Sequence, residues 1–160
     1  MPSRFIHLGI GTPMTDFRQV ILSYKRARAA VAMAEQFKYP MILFEEMGVY
    51  QILFSIEDKQ ILSGMYQHLL KPLIDYDQKH HSELEKTLFY YLIHDGSQVA
   101  MAKNLYMHRN TINYRMTKVK ELLNCQLDTF EKMPYMLALY IKKVIQEDIN
   151  KDKDLFAAIQ

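Results

Sequence analysis

The chain has 160 residues, 49% of them hydrophobic, with a net charge of +2, so it can build a real core for one domain or two small ones. Cys125 is the only cysteine, which excludes an intrachain disulfide and suits a reducing cytoplasm. No apolar run reaches the ~18 residues of a membrane span, and the opening MPSRFIHLGIGTP reads as too weakly apolar for a signal peptide.

Phe5 to Ile10 is predicted as a strand ending in Gly11-Thr12-Pro13. Gly9-x-Gly11 has neither a third glycine at the right spacing nor a P-loop lysine, so it does not read as a nucleotide loop. Thr15 is a candidate N-cap for a helix whose apolar face is Phe17, Val20, Ile21, Tyr24, Ala27, Val31 and Ala34. Met41 to Phe44 follows Pro40 as a short buried strand, so residues 5–45 read β-α-β. Gly48 to Ile56 is predicted helical. Lys59 to Leu70 is predicted as another helix, interrupted near Ser63-Gly64 and stopped before Pro72.

Asp75, Asp77, His80, His81, Glu83 and Glu85 crowd one stretch. They lack a metal-site spacing and read as solvated charges at a helix start, with Ser82-x-x-Glu85 as a capping box. Leu84, Leu88, Tyr91 and Leu92 form the apolar face of the next helix, which ends at Asp95-Gly96.

Residues 96–123, GSQVAMAKNLYMHRNTINYRMTKVKELL, read as two helices at a tight corner. Ser97 caps the first, where Val99, Ala102 and Leu105 recur at helical spacing. The pattern breaks at Tyr106-Met107 and resumes with Ile112, Met116, Val119 and Leu123. Placing Ile112 inward turns Asn110, Asn113, Tyr114 and Thr117 outward, with Arg109 at the helix start. Lys103, Arg109, Arg115, Lys118 and Lys120 are basic, and no acid occurs from Gly96 to Lys120. An acid-free basic block suits a polyanion. Arg matches guanine O6/N7 and Asn matches adenine N6/N7, each through a bidentate pair. Asn124 to Thr129 is predicted as a loop, with Asn124 able to take the left-handed conformation. Pro134 sits at a helix start, and Leu137, Ala138, Ile141, Val144 and Ile145 form a stripe that closes the core behind the recognition helix. Glu147 to Asp154 is charged and expected to fray, and the apolar tail Leu155 to Ile159 has no assigned role.

The spaced residues Ala102, Leu105, Met107-His108-Arg109-Asn110-Thr111 and Tyr114-Arg115-Met116 resemble the C-terminal helix-turn-helix of the PucR/CdaR regulators. Tyr76-Asp77, His80, Leu84, Thr87-Leu88 and Tyr91-Leu92 are similar to that family's lead-in helix. The resemblance continues through Glu121-Leu122 and Leu137-Ala138-Leu139. Met101 stands where the family usually has Thr, Asn124 where it usually has Gly, and Tyr106 where many such corners need Gly. Gly9-Ile10-Gly11, Ser23-Tyr24, Ala27 and Phe44-Glu45-Glu46 resemble the end of the degenerate GGDEF-like domain of these regulators, without the signature that would imply cyclase activity.

The expected fold is α+β: a partial β-α-β block followed by an all-α helix-turn-helix bundle. Residues 1–55 would end the GGDEF-like domain, 56–75 would be a helical linker, 76–148 the DNA-binding domain and 149–160 a tail. The resemblance implies a sequence-specific, cytoplasmic transcription factor, an activator, reading double-stranded DNA with helix 108–123. The alternative is a non-enzymatic dimerisation module whose helix-turn-helix packs on another protein. The expected DNA-binding residues are Ser97, Gln98, His108, Arg109, Asn110, Thr111, Asn113, Tyr114, Arg115, Thr117 and Lys118. Of these, Arg109, Asn110 and Asn113 are the base readers. Ser97, Gln98, Thr111, Lys118 and Arg115 are the phosphate contacts, although Arg115 could instead pair with an acid on the lead-in helix. No catalytic residue, metal or cofactor is expected. A homodimer is expected, with any small-molecule effector on a sensor region outside this chain, which is either a fragment or a short relative of a longer regulator.

Overall fold

The computed structural model describes residues 6–159, with side chains described for residues 6–146. The described residues divide into two compact units, 6–59 with 144–159, and 60–143.

In the first unit, β1 (Leu8–Ile10) pairs in parallel with β2 (Met41–Leu43), Gly9 opposite Ile42, and α1 (Val20–Phe37) forms the crossover. The β-α-β order matches the sequence pattern, although the strand starts at Leu8 and Phe5 lies outside the described residues. Gly9 and Gly11 have a packing role. A Cβ on Gly9 would overlap the Val31 amide nitrogen and the Ala27 carbonyl oxygen; one on Gly11 would overlap the Ser23 carbonyl oxygen. The strand and helix backbones therefore touch, which only glycine permits. Ser23 Oγ also donates to the Thr12 carbonyl at 2.7 Å.

Two expectations for this helix are corrected. Asp16, not Thr15, caps its entry, accepting from the Arg18 amide at 2.9 Å ahead of a single 3-10 turn. The buried face is Ala29, Ala30, Ala32, Met33 and Ala34, whereas Phe17, Ile21 and Tyr24 are exposed. Two three-residue strands are too short to cover the first half of an eighteen-residue helix. Lys38 ends α1 in the left-handed conformation. A 3-10 turn at Phe44–Glu46 leads to α2 (Val49–Ser55), inside the predicted Gly48–Ile56 span, with Tyr50 and Leu53 buried.

The second unit is all helical: α3 (Lys59–His80), which begins one residue before it, then α4 (Leu84–Ile93), α5 (Gln98–Leu105), α6 (Arg109–Leu123) and the start of α7 (Lys132–Ile159). The predicted stop before Pro72 is wrong, because α3 runs through both Gly64 and Pro72. Both residues are exposed, while Leu70 and Leu73 on either side of the proline are fully buried. Burying a leucine side chain contributes about 1.5–3 kcal/mol. Two such residues offset a cost of about 3 kcal/mol for proline in a helix interior.

The core joins every helix of this unit: Leu70 and Leu73 of α3, Leu84, Leu88 and Leu92 of α4, Met101 and Leu105 of α5, Ile112, Met116 and Val119 of α6, and Ala138 and Leu139 of α7. The last helix joins this core through Ala138, which the predicted stripe includes, and Leu139, which it omits. Pro134 is the third residue of α7 rather than the first; its missing N–H is still among the four that no helix start can pair. Backbone helix continues to Ile159, and the side chains of the predicted frayed segment and tail lie outside the described residues.

The start of α4 is capped from a distance. Asp77 Oδ1 accepts from the Leu84 amide at 2.8 Å and Oδ2 from the Glu85 amide at 3.0 Å, while Ser82 Oγ donates to Oδ1. The predicted Ser82–Glu85 capping box does not form. Glu85 instead accepts from Lys142 Nζ at 2.7 Å and from the Tyr66 hydroxyl at 3.3 Å, tying α3, α4 and α7 together. Burial, and then the Glu85 charge, push the Tyr66 hydroxyl pKa well above its usual value. Among the described residues no cluster of His, Cys, Asp or Glu could hold a metal ion, and no helix is long and apolar enough to cross a membrane.

Candidate nucleic-acid interface

The α4–α5 corner turns on Asp95 and Gly96, both with positive φ. Lys132 Nζ donates to Asp95 at 2.8 Å, fixing the start of α7 to this corner and holding the Asp95 carboxyl below the usual carboxylate range. Ser97 then caps α5 as expected, accepting from the Ala100 amide at 3.5 Å. The inward face of α5 is Met101 and Leu105. Val99 is 83% exposed, so its place in the predicted apolar repeat is wrong. Val99 and Met101 are two residues apart, about 200° around the helix, so only one of them can face the core.

Tyr106 ends α5 in the left-handed conformation, φ 53°, with its ring 95% exposed. That backbone costs a non-glycine residue about 1–2 kcal/mol. The Tyr106 and Met107 amides both return to the Ala102 carbonyl, which recovers part of that cost. His108 then caps α6. Its Nδ1 accepts from the Asn110 amide at 3.2 Å, a local role that the sequence did not reveal. Asn124 ends α6 in the left-handed conformation, φ 49°.

On α6 the predicted wheel holds. Ile112, Met116 and Val119 are buried, and Arg109, Asn110, Thr111, Asn113, Tyr114 and Thr117 are all exposed. The outward residues nearest the helix start are tied to α5 through one side chain. Gln98 Oε1 accepts from Arg109 Nε, and Gln98 Nε2 donates to Asn113 Oδ1. Arg115 turns away from this group, its Nη1 lying 3.5 Å from both Glu83 Oε2 and Thr87 Oγ1 at the start of α4. Lys118 Nζ lies 3.1 Å from Glu121 Oε2, which raises its pKa, and 5.6 Å from the centre of the Tyr76 ring.

Two short helices share a core, meet at a three-residue corner and leave one polar, acid-free face of the second helix in solvent. This is a helix-turn-helix domain. Residues 84–141 match the PucR C-terminal helix-turn-helix domain. It is similar to the DNA-binding transcriptional activator AdeR of Bacillus subtilis, 30% identical over 125 residues, which are 76% of this chain and 30% of AdeR. It is also similar to the proline-responsive transcriptional activator PutR of the same organism, 30% identical over 129 residues, 78% of this chain and 31% of PutR. The purine catabolism regulatory protein of B. subtilis is 37% identical over 94 residues, 58% of this chain and 17% of the regulator. The chain thus spans about a third of the length of the first two relatives. No solved structure matches it significantly.

Proposed function

We propose that this chain is the DNA-binding part of a sequence-specific transcriptional regulator, an activator like AdeR and PutR, and that α6 reads the major groove of double-stranded DNA. The observation that carries this reading is the solvent-facing row of Arg109, Asn110, Asn113, Tyr114 and Thr117 on a helix whose opposite side is locked in the core. Arg109, Asn110 and Asn113 are base readers. Ser97, Thr111 and Lys118 hold phosphates. Lys118 loses little by leaving Glu121, since a solvent-screened ion pair on a helix surface contributes little. Arg115 is a strut to Glu83 and Thr87 rather than a phosphate contact.

The β-α-β block is the end of a degenerate GGDEF-like domain, and any small-molecule effector acts on a sensor region outside this chain. The protein works in the cytoplasm as a homodimer. Leu8, Ile10, Met41, Phe17, Ile21 and Tyr24 are exposed apolar side chains on the first unit, and residues 1–70 supply most of the dimer interface. Sedimentation of the full chain at tens of micromolar gives a dimer; a monomer there rules the interface out.

The test of the DNA reading is selection from random duplexes, followed by titrations at several salt concentrations. Log affinity falls linearly with log salt if phosphates are neutralised. Arg109→Ala and Asn113→Ala each cost about 1–3 kcal/mol on the selected site and relax one base pair; Lys118→Ala weakens all duplexes alike and lowers the salt slope by about one. Equal losses on selected and random DNA for the first two variants refute the reader assignment.

A further inference from the structure

We propose that Gln98 is a specificity-determining positioning residue, whose amide joins Arg109 and Asn113 into one base-reading unit. This rests on the DNA reading above. Sequence position alone suggests another role for Gln98, a phosphate contact from the first residue of a helix. The side chain is otherwise engaged. Its oxygen accepts from Arg109 Nε and its nitrogen donates to Asn113 Oδ1, across the corner between α5 and α6.

Donor chemistry fixes the direction of this chain of bonds. A guanidinium N–H can only donate, so Gln98 must present its carbonyl oxygen to Arg109. Its NH2 group is then left for Asn113, which must answer with its own carbonyl oxygen. Each reader keeps what a bidentate base contact needs. Arg109 holds both terminal nitrogens free of the tie, the pair that matches guanine O6 and N7. Asn113 keeps its NH2 donor and one lone pair of Oδ1, the set that matches adenine N7 and N6.

Arginine is long and loses considerable rotamer freedom when it binds. Holding it at Nε before DNA arrives reduces that loss on the matching site, and it favours one approach to the base edge. The same amide sets which way round the Asn113 group points. A donor-first Asn113 would face a different base, so the tie acts on preference as well as on strength. Arg109 and Asn113 are exposed and Gln98 is half-buried beside them, so their mutual bonds matter little for folding.

The experiment compares the full-length wild type with Gln98→Ala and with Gln98→Met, which keeps the length and bulk of the side chain but not its amide. Each is checked for an unchanged melting temperature, then titrated with the selected duplex, with duplexes altered at the base pairs read by Arg109 and Asn113, and with random duplex. Both variants are expected to lose on the order of tenfold on the selected duplex, the size of one polar contact. Discrimination falls at both base pairs together, while random-duplex affinity and the salt slope stay unchanged. In an Arg109→Ala background, Gln98→Met no longer changes preference at the arginine's base pair. Equal losses on selected and random DNA would make Gln98 a phosphate contact and overturn the proposal. Altered preference at a third base pair alone would make it a base reader and overturn it as well. If Arg109→Ala and Asn113→Ala relax preference but the Gln98 variants do not, this inference fails and the DNA reading stands. A wild type with no preferred duplex removes the DNA reading itself.

Discussion

Replacing Asp77 by alanine should destabilise the helical unit more than its place in a solvated acidic stretch suggests. Its carboxylate accepts from the Leu84 and Glu85 amides at 2.8 and 3.0 Å and from the Ser82 hydroxyl. Losing an N-cap acceptor costs about 0.5–2 kcal/mol. Losing a negative charge beside a helix N-terminus costs about 0.3–1 kcal/mol more. The sum is about 1–3 kcal/mol. The unit spans residues 60–143, and a domain of that size loses roughly 4–8 °C of melting temperature per kcal/mol, so a fall of about 4–24 °C is expected. Asp77→Asn keeps one acceptor oxygen and should lose about half as much. Thermal unfolding followed by circular dichroism is sufficient, with Ser82→Ala as the reference variant. Ser82 donates to Asp77 and caps nothing itself, so its loss should be the smaller one. An unchanged Asp77→Ala protein beside a destabilised Ser82→Ala protein would restore the local capping box and refute the long-range cap.

Ile112→Asp places a charge at a fully buried position and should cost several kcal/mol, abolishing the helical signal and any DNA binding together; unchanged melting would mean that α6 is rotated. Gly9→Ala should destabilise the first unit by about 1–3 kcal/mol, since the new methyl meets helix backbone that cannot move aside. Gly64→Ala, with nothing near its Cβ and a helical backbone, should instead stabilise by about 0.5–1 kcal/mol in denaturant titrations. The Glu83 carboxyl is held below its usual pKa, first by the Lys86 hydrogen bond and then by its other neighbours, Arg115 among them. Its contribution is therefore present above the unfolded-state value and is lost as pH falls through the folded one. The melting-temperature gap between wild type and Glu83→Gln should be widest near neutral pH and close in acid.

The helix-turn-helix was legible because each of its signals is local. Ser97 and Asn124 mark helix ends by their own chemistry, and Ile112, Met116 and Val119 recur at the helical period. What sequence reasoning missed was set by partners distant in the chain. Pro72 sits inside a helix because Leu70 and Leu73 are buried against other helices. Asp77 replaces the predicted box because α3 and α4 meet at an angle that brings its carboxylate to two free amides, seven and eight residues on. The exposed start of α1 follows from strands only three residues long, a length that the apolar run from Phe5 does not announce. In the site, the wheel gave the outward row, but no pattern links Gln98 to residues eleven and fifteen positions later.

The two sides of α6 carry separate duties, and this separation decides what can vary. Ile112, Met116 and Val119 hold the helix to α3, α4, α5 and α7, so any substitution there alters stability before it alters a contact with DNA. Arg109, Asn110, Asn113 and Thr117 are exposed and contribute little to folding. Their identities are therefore free of the fold and can change without disturbing the core. The Gln98 tie restricts that freedom in one specific way. A residue at position 109 without an N–H donor leaves the Gln98 oxygen unpaired, and a residue at 113 without an acceptor leaves its NH2 group unpaired. Changes at 109 and 113 should consequently be coupled through 98. The double variant Arg109→Ala/Asn113→Ala should lose less affinity on the selected duplex than the two single losses combined, because the first substitution already undoes part of what the second would remove. Strict additivity of the two free-energy losses would mean that the readers act independently.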